Sequence, residues 1–160
     1  MNLLEYNQSK KYKMIVYSSQ IAVPTSHSFE VIDITEQIDD LVSQSGVLQG
    51  MVSISSMHTT CAVAVNENEI RLFDDIQKFF LSIAPPDEPY KHNDLHLRED
   101  IPPDEPENAH SHLIAMMLGN SEVVTVTDGA LLLGRYQSIL VLEMDGPRQR
   151  NLAIQVMGSR

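Results

Sequence analysis

The residues of this chain whose types and spacing can do chemistry gather around its histidines. His58 stands in "SSMHTTCAVAVNENE", where two strand-like runs meet, beside the hydroxyls of Thr59 and Thr60. His110 and His112 lie two residues apart in "ENAHSHL", after a segment that already holds His92 and His96 among many carboxylates. Such clusters suit Zn²⁺ or another divalent ion. The same imidazoles can act as acid/base groups, or simply end a strand or open a helix. Spacing limits the choice. At i and i+2 two side chains diverge by about 200° on a helix and share one face of an extended chain. A metal site of His58, His110 and His112 therefore requires the chain to be extended at His110, with the helix starting near His112. Pro106 upstream favours such an entry. The alternative is that Asn108 caps a helix and the pair diverges.

Two further groups carry polar side chains. Asn66-Glu67 ends a strand and opens a helix; Asn66 with Glu69 reads as a capping pair, and Glu67 is free to face a cleft. Gln137 and Glu143 are six residues apart, so an unbulged strand turns both to one face, with Ile139 and Val141 between them. A carboxylate among such neighbours is paired, functional, or at the wet end of its strand. Arg148 and Arg150 follow a Gly-Pro turn, placed either to hold phosphate oxygens or to be solvated. The single cysteine, Cys61, reads as a small buried apolar residue or as a nucleophile with His58.

The elements that must position these groups follow from periodicity. Residues 12–23 and 27–34 alternate as strands. Thr35 reads as the N-cap of a short helix with Ile38, Leu41 and Val42 on its apolar face. Residues 51–57 and 62–65 return to strand character. From Glu67 to Ser82 the apolar residues recur every three or four positions, as in an amphipathic helix. Residues 84–107 contain six of the eight prolines and eight of the 22 acids, so they read as one irregular, acidic loop. A helix follows over 113–118, then strands in "EVVTVTDG", "ALLLG", "YQSILVLEM" and "RNLAIQVMG", with turns at Asp128-Gly129 and Asp145-Gly146. This order predicts one α+β domain over 1–160, built on mostly antiparallel sheets.

Composition sets outer bounds. A formal charge of −11 disfavours nucleic acid and anionic membranes as partners, while leaving a small anionic metabolite possible inside a cleft. No apolar run reaches the roughly 20 residues of a membrane span. The N-terminus lacks a signal layout and one cysteine makes no internal disulfide, so a cytoplasmic location is expected.

Taken together, "HTTCAVAVNENE", "ENAHSHLIAMMLGNS", "VTDGALLLGRYQSILVLEMDGPRQR" and "LAIQVMG" resemble the YjbQ-like family, also described as the secondary thiamine-phosphate synthase family. The resemblance runs from about residue 12 to the end. It implies a two-sheet, mostly antiparallel β-sandwich with flanking helices, assembled as a homotrimer. It also implies a secondary transferase activity that joins hydroxymethylpyrimidine diphosphate to thiazole phosphate and releases pyrophosphate. The family's recurring polar residues fall on His58, Thr59, Asn66, Glu67, His110, His112, Gln137 and Glu143. Arg135-Tyr136 departs from the family pattern, as does the longer, more proline-rich 84–107 segment.

On this basis His58, Glu67, His112 and Glu143 are the expected catalytic residues. Thr59, Asn66, Gln137, Arg148 and Arg150 are expected to bind a phosphorylated substrate, with Zn²⁺ or Mg²⁺ as the candidate ion. A metal-dependent hydrolase, with Glu67 or Glu143 as base, and a non-enzymatic trimer that binds metal or metabolite are the competing readings. The 84–107 loop is a candidate lid over a site at a subunit boundary.

Overall fold

The computed structural model describes residues 13–160. Among these residues eight strands and three α-helices follow in the order β1 (Ile15–Pro24), β2 (Glu30–Asp33), α1 (Thr35–Ser45), β3 (Gln49–Ser56), β4 (Cys61–Asn66), α2 (Ile70–Ile83), α3 (Ala109–Leu118), β5 (Ser121–Thr127), β6 (Ala130–Leu131), β7 (Ser138–Glu143) and β8 (Gln149–Ser159), with two short 3-10 turns, Lys91–Asn93 and Leu95–Leu97, between α2 and α3. The expected strand over 12–23 is β1; its first residue, Tyr12, lies outside the described residues.

Two antiparallel sheets result, one ordered β1-β8-β3-β5-β6 and one ordered β2-β7-β4. Strand alternation sends Val52 and Ile54 of β3, Val124 and Val126 of β5, and Leu152, Ile154 and Val156 of β8 to one face. They meet Val63 of β4 and Ile139 and Val141 of β7 between the sheets, with Ile38 and Val42 of α1 closing the side. Each fully buried branched side chain contributes about 1.5–3 kcal/mol relative to exposure. The opposite face of the small sheet, carrying Ala62, Leu140 and Leu142, is covered by Phe73, Ile76 and Phe80 of α2 and Ile114 and Ala115 of α3. The small sheet is buried on both faces, which is why β7 reads as a continuous apolar run.

Three helix starts differ from the local reading. Thr35 is not a cap but the first residue of α1. Its hydroxyl donates to Asp33 Oδ1 (2.5 Å) and accepts from the Ile139 amide (2.8 Å), pinning the helix to β7. Helix α2 begins three residues later than expected because Glu69 caps it, accepting from the amides of Arg71 (2.9 Å) and Leu72 (2.8 Å). Asn66 instead accepts from its neighbour Glu67 (2.8 Å). Helix α3 begins four residues earlier, at Ala109. Its first amide, which has no partner within the helix, donates to Asn93 Oδ1 (3.1 Å), and Ser111 Oγ donates to the Met144 carbonyl (2.5 Å). A side chain 16 positions upstream sets this boundary, which a local pattern does not contain.

The chain passes between the sheets three times at one end, through residues 24–30, 56–61 and 143–149. Register brings them together: Pro24 pairs with Gln149, Ser56 with Leu152, Glu30 with Glu143, and Cys61 with Glu143. Among the described residues no helix is long and apolar enough to cross a membrane.

Candidate functional site

Two of the three crossings, 56–61 and 143–149, and the 84–107 segment border an open cavity of about 780 Å³ lined by His58, Thr60, Glu105, His112, Arg148 and Arg150, among others. Its floor is a buried ion pair. Glu143 is 0% exposed and Arg150 2%. Arg150 Nε donates to Glu143 Oε2 (2.6 Å), and Nη2 donates to Glu143 Oε1 and to Thr60 Oγ1 (3.0 Å). Oε1 also accepts from the amides of Met144 (2.9 Å) and Asp145 (2.8 Å), and Oε2 from the Thr25 hydroxyl (3.0 Å). The pair joins β7 of one sheet to β8 of the other. Burial pushes the Glu143 pKa up, but the bonds from Arg150, the Asp145 amide and Thr25 together hold it below the ordinary carboxylate value. Glu143 is therefore an ionised anchor whose lone pairs are already engaged. Arg150 Nη1, by contrast, has no hydrogen-bond partner among the described residues.

Arg148 stands on the rim, exposed over about 42% of its side chain and held by Asp145: Nη2 donates to Oδ2 (2.8 Å) and Nε to the Asp145 carbonyl (2.7 Å). The turn that carries it packs tightly on the β1–β2 crossing. A Cβ at Gly146 would collide with the His27 carbonyl oxygen and lie 3.0 Å from Thr25 Oγ1.

His58 is oriented by the backbone of β8, with Nε2 accepting from the Asn151 amide at 2.8 Å. The neutral ring must then carry its hydrogen on Nδ1. Burial, followed by the charge of Arg150, lowers its pKa against the opposing pull of Glu143. His58 is accordingly a neutral Nδ1–H donor near neutral pH. His112 faces it from α3 with its ring against His92, centroids 4.8 Å apart at 70°. Burial and then His92 lower the His112 pKa, with Asp145 and Glu105 opposing. Arg98 ties the surrounding segment together through Glu105 (2.9 Å) and the His92 carbonyl (3.2 Å).

A model of the family described as "UPF0047 protein YjbQ-like" matches residues 19–159. The chain belongs to the YjbQ-like family. It is 38% identical over 145 residues to a UPF0047 protein of Methanothermobacter thermautotrophicus, covering 91% of this chain and 94% of that one. It is 31% identical to the UPF0047 protein YugU of Bacillus subtilis, covering 86% and 97%. Among solved structures, the YjbQ-like protein of unknown function from Sulfolobus solfataricus superposes with a TM-score of 0.82 at 35% identity, covering 92% and 100%. The YjbQ-like sandwich expected from the sequence is the observed fold.

Within this YjbQ-like domain the expected site residues separate into two groups. His58, Thr59, His112, Arg148 and Arg150 line the corner cavity, with Glu143 beneath it. Asn66, Glu67 and Gln137 lie at the other end of the small sheet. Register pairs Asn66 with Ser138 while Cys61 pairs with Glu143, so five residues of extended strand, about 17 Å, separate the groups. There Gln137 Oε1 accepts from the Gly134 amide at 2.7 Å and closes a turn. His110 and His112 both lie on α3 and so project in different directions. The shared ligand set of His58, His110 and His112 is thus not assembled; the helix starts too early, and His58 Nε2 is engaged. Among the described residues no group of three or more His, Cys, Asp or Glu side chains is arranged to hold a metal ion.

The sequence reading takes Asp145 as a turn residue and Asn108 as a helix cap, and places neither in the site; Thr60, named there as a hydroxyl beside His58, accepts from Arg150. Asp145 holds both Arg148 and Asn108, whose Nδ2 donates to Oδ2 at 2.8 Å. That bond fixes the Asn108 amide, leaving its buried Oδ1 without a partner among the described residues, as are His110 Nδ1 and His92 Nε2. The Asp-Gly turn signal was the only hint of Asp145, and it points to a turn rather than to a cavity.

Proposed function

We propose that the corner cavity binds a small phosphorylated metabolite, and that the chain can use it to form thiamine phosphate as a secondary activity. The observation that carries this reading is the arginine pair. Arg150 is held in the floor with Nη1 uncommitted, Arg148 stands over it, and the Nδ1–H of neutral His58 completes a set of donors for phosphate oxygens.

In the reaction the thiazole nitrogen forms a bond to the exocyclic methylene carbon of the pyrimidine substrate. The carbon–oxygen bond to diphosphate breaks, and its electron pair leaves with pyrophosphate. No protein nucleophile is needed. Arg148, Arg150 and His58 would donate to the oxygens on which charge develops, and the bordering 84–107 segment would limit water. Glu143 acts through Arg150 as a positioning residue. A divalent ion, Mg²⁺ being the natural candidate, would accompany the diphosphate rather than reside on three histidines. The metal-dependent hydrolase reading draws no support from a saturated Glu143 and divergent histidines.

The homotrimer draws support from the outer face of the large sheet. Its outward positions on β1, β3, β5 and β8, including Ser18, Ser53, Val123 and Gln155, carry no charged residue in a chain of net charge −11. Identical faces can therefore approach without like-charge repulsion. A binding trimer without turnover rests on the same observations and is separated by assay. Arg148→Ala should lower kcat/KM for thiamine-phosphate formation by about tenfold or more, as loss of a charge-assisted contact implies. Unchanged turnover in this variant would sink the reading, and pyrophosphate binding without any product would leave the binding protein. Light scattering checks the trimer.

A further inference from the structure

The segment between α2 and α3 repeats a motif: Pro-Pro-Asp-Glu-Pro occurs at 85–89 and again at 102–106. Each copy folds into the same turn, with proline at its second position. The glutamate amide donates back to the carbonyl of the first proline, Glu88 to Pro85 (3.4 Å) and Glu105 to Pro102 (3.2 Å). The two turns face different surroundings. The first borders an outer cavity of about 440 Å³, where Asp87, Glu88, Asp94 and Glu107 meet no arginine or lysine. The second sets Asp104 and Glu105 at the edge of the corner cavity, opposite the arginines that would hold an anion.

The loop that carries the second turn, residues 99–107, is loosely tied. It contains five acids, three prolines and no lysine or arginine. The prolines have no N–H to donate. Among the described residues one hydrogen bond joins this loop to the rest of the chain, from Arg98 Nη2 to Glu105 Oε1 (2.9 Å). The two side chains are 27% and 21% exposed, so solvent weakens the pair. Arg98 itself is better anchored. Its amide donates to the Leu95 carbonyl (3.1 Å) and its Nη1 to the His92 carbonyl (3.2 Å). His92 packs on His112, and Asn93 accepts from the first amide of α3. Glu105 thus engages a fixed guanidinium beside the cavity as a phosphate oxygen would.

We propose that the 99–107 loop is an autoinhibitory gate, with Glu105 as its built-in anion. Glu105 holds Arg98 and, with Asp104, keeps negative charge at the cavity edge until a phosphate displaces it and frees the loop. This rests on the phosphate-binding reading above and adds how entry to that site is controlled. Residues 91–97 stay in place during the exchange, because His92 and Asn93 tie them to α3, and that remaining wall still limits water.

Calorimetry with pyrophosphate and limited proteolysis of the intact protein test the gate. Pyrophosphate should speed cleavage after Glu99 by a glutamate-specific protease about threefold or more, because bound anion raises the population of the freed loop. Glu105→Gln should show that faster cleavage without ligand. It should also raise pyrophosphate affinity about threefold or more at low salt, a gain that shrinks as salt screens the carboxylate. Asp87→Asn removes one charge from the first turn and should leave affinity within about twofold. Protection of Glu99 by pyrophosphate, or a Glu105→Gln affinity no higher than the parent's, would overturn the gate and leave the phosphate reading intact. An equal gain from Asp87→Asn would do the same, by tracing the effect to net charge alone. If neither the parent nor Glu105→Gln binds pyrophosphate, or binding is indifferent to Arg148→Ala, the phosphate reading fails and the gate with it.

Discussion

Glu143→Gln isolates what the buried pair does. The substitution preserves shape but removes the charge opposite Arg150, in a place where the two residues are 0% and 2% exposed. The guanidinium cannot turn to water, and its two bonds to Glu143 become contacts with a neutral amide, one of whose ends is itself a donor. The Met144 and Asp145 amides also lose an anionic acceptor. Breaking a buried pair from one side costs about 3–5 kcal/mol. In a domain of this size each kcal/mol moves Tm by about 2–4 °C, so a drop of roughly 6–20 °C is expected. Thermal unfolding followed by circular dichroism reads it. The double variant Glu143→Leu with Arg150→Met should recover most of the loss, because two apolar side chains need no compensation. It should not recover pyrophosphate binding, which depends on Arg150. A single variant that melts within 2 °C of the parent, about 1 kcal/mol or less, would refute the claim that the pair is sealed from solvent.

Other perturbations have defined outcomes. Folding lowers the pKa of His58, His110 and His112 below 6.5, so the folded chain binds fewer protons than the unfolded chain just below that value. Their contribution is complete above pH 6.5 and declines as pH falls through the window beneath it; Glu143, also lowered, adds a second loss as pH falls below 4.5. Melting temperature should therefore decline from pH 7 to pH 5.5, and a rise over that interval would contradict the neutral-histidine assignment. Gly146→Ala should cost about 1–3 kcal/mol by pushing the turn off Thr25, and should weaken pyrophosphate binding through the displaced Arg148. Glu69→Ala removes the acceptor for two amides of α2 and should cost about 0.5–2 kcal/mol, without affecting pyrophosphate affinity. Elemental analysis of purified protein should find no stoichiometric Zn²⁺; near-equimolar metal, lost in a His58→Ala, His112→Ala variant, would overturn the divergent arrangement of these histidines.

The strands, the existence of the helices and the family were legible in the sequence, though the helix starts were not. Alternation in 15–24, 49–56 and 149–159 is a short-range property of strands with one buried face, and the continuous apolar run of β7 marks a strand buried on both. Glu143 was legible as a carboxylate sharing the face of Ile139 and Val141, hence paired, functional or wet; which of the three was not. The tertiary structure chose, because its partner Arg150 lies across a turn in the other sheet and its remaining donors come from residues 25, 144 and 145. The start of α3 was decided in the same way by Asn93, and with it the divergence of His110 and His112. Strand alternation put Gln137 and Glu143 on one face, yet the length of β7 carries them to opposite ends of the small sheet, where Ser138 pairs with Asn66 and Glu143 with Cys61. Periodicity fixes which face a residue shares with its neighbours. Only the crossings between sheets fix which distant residues meet at one corner.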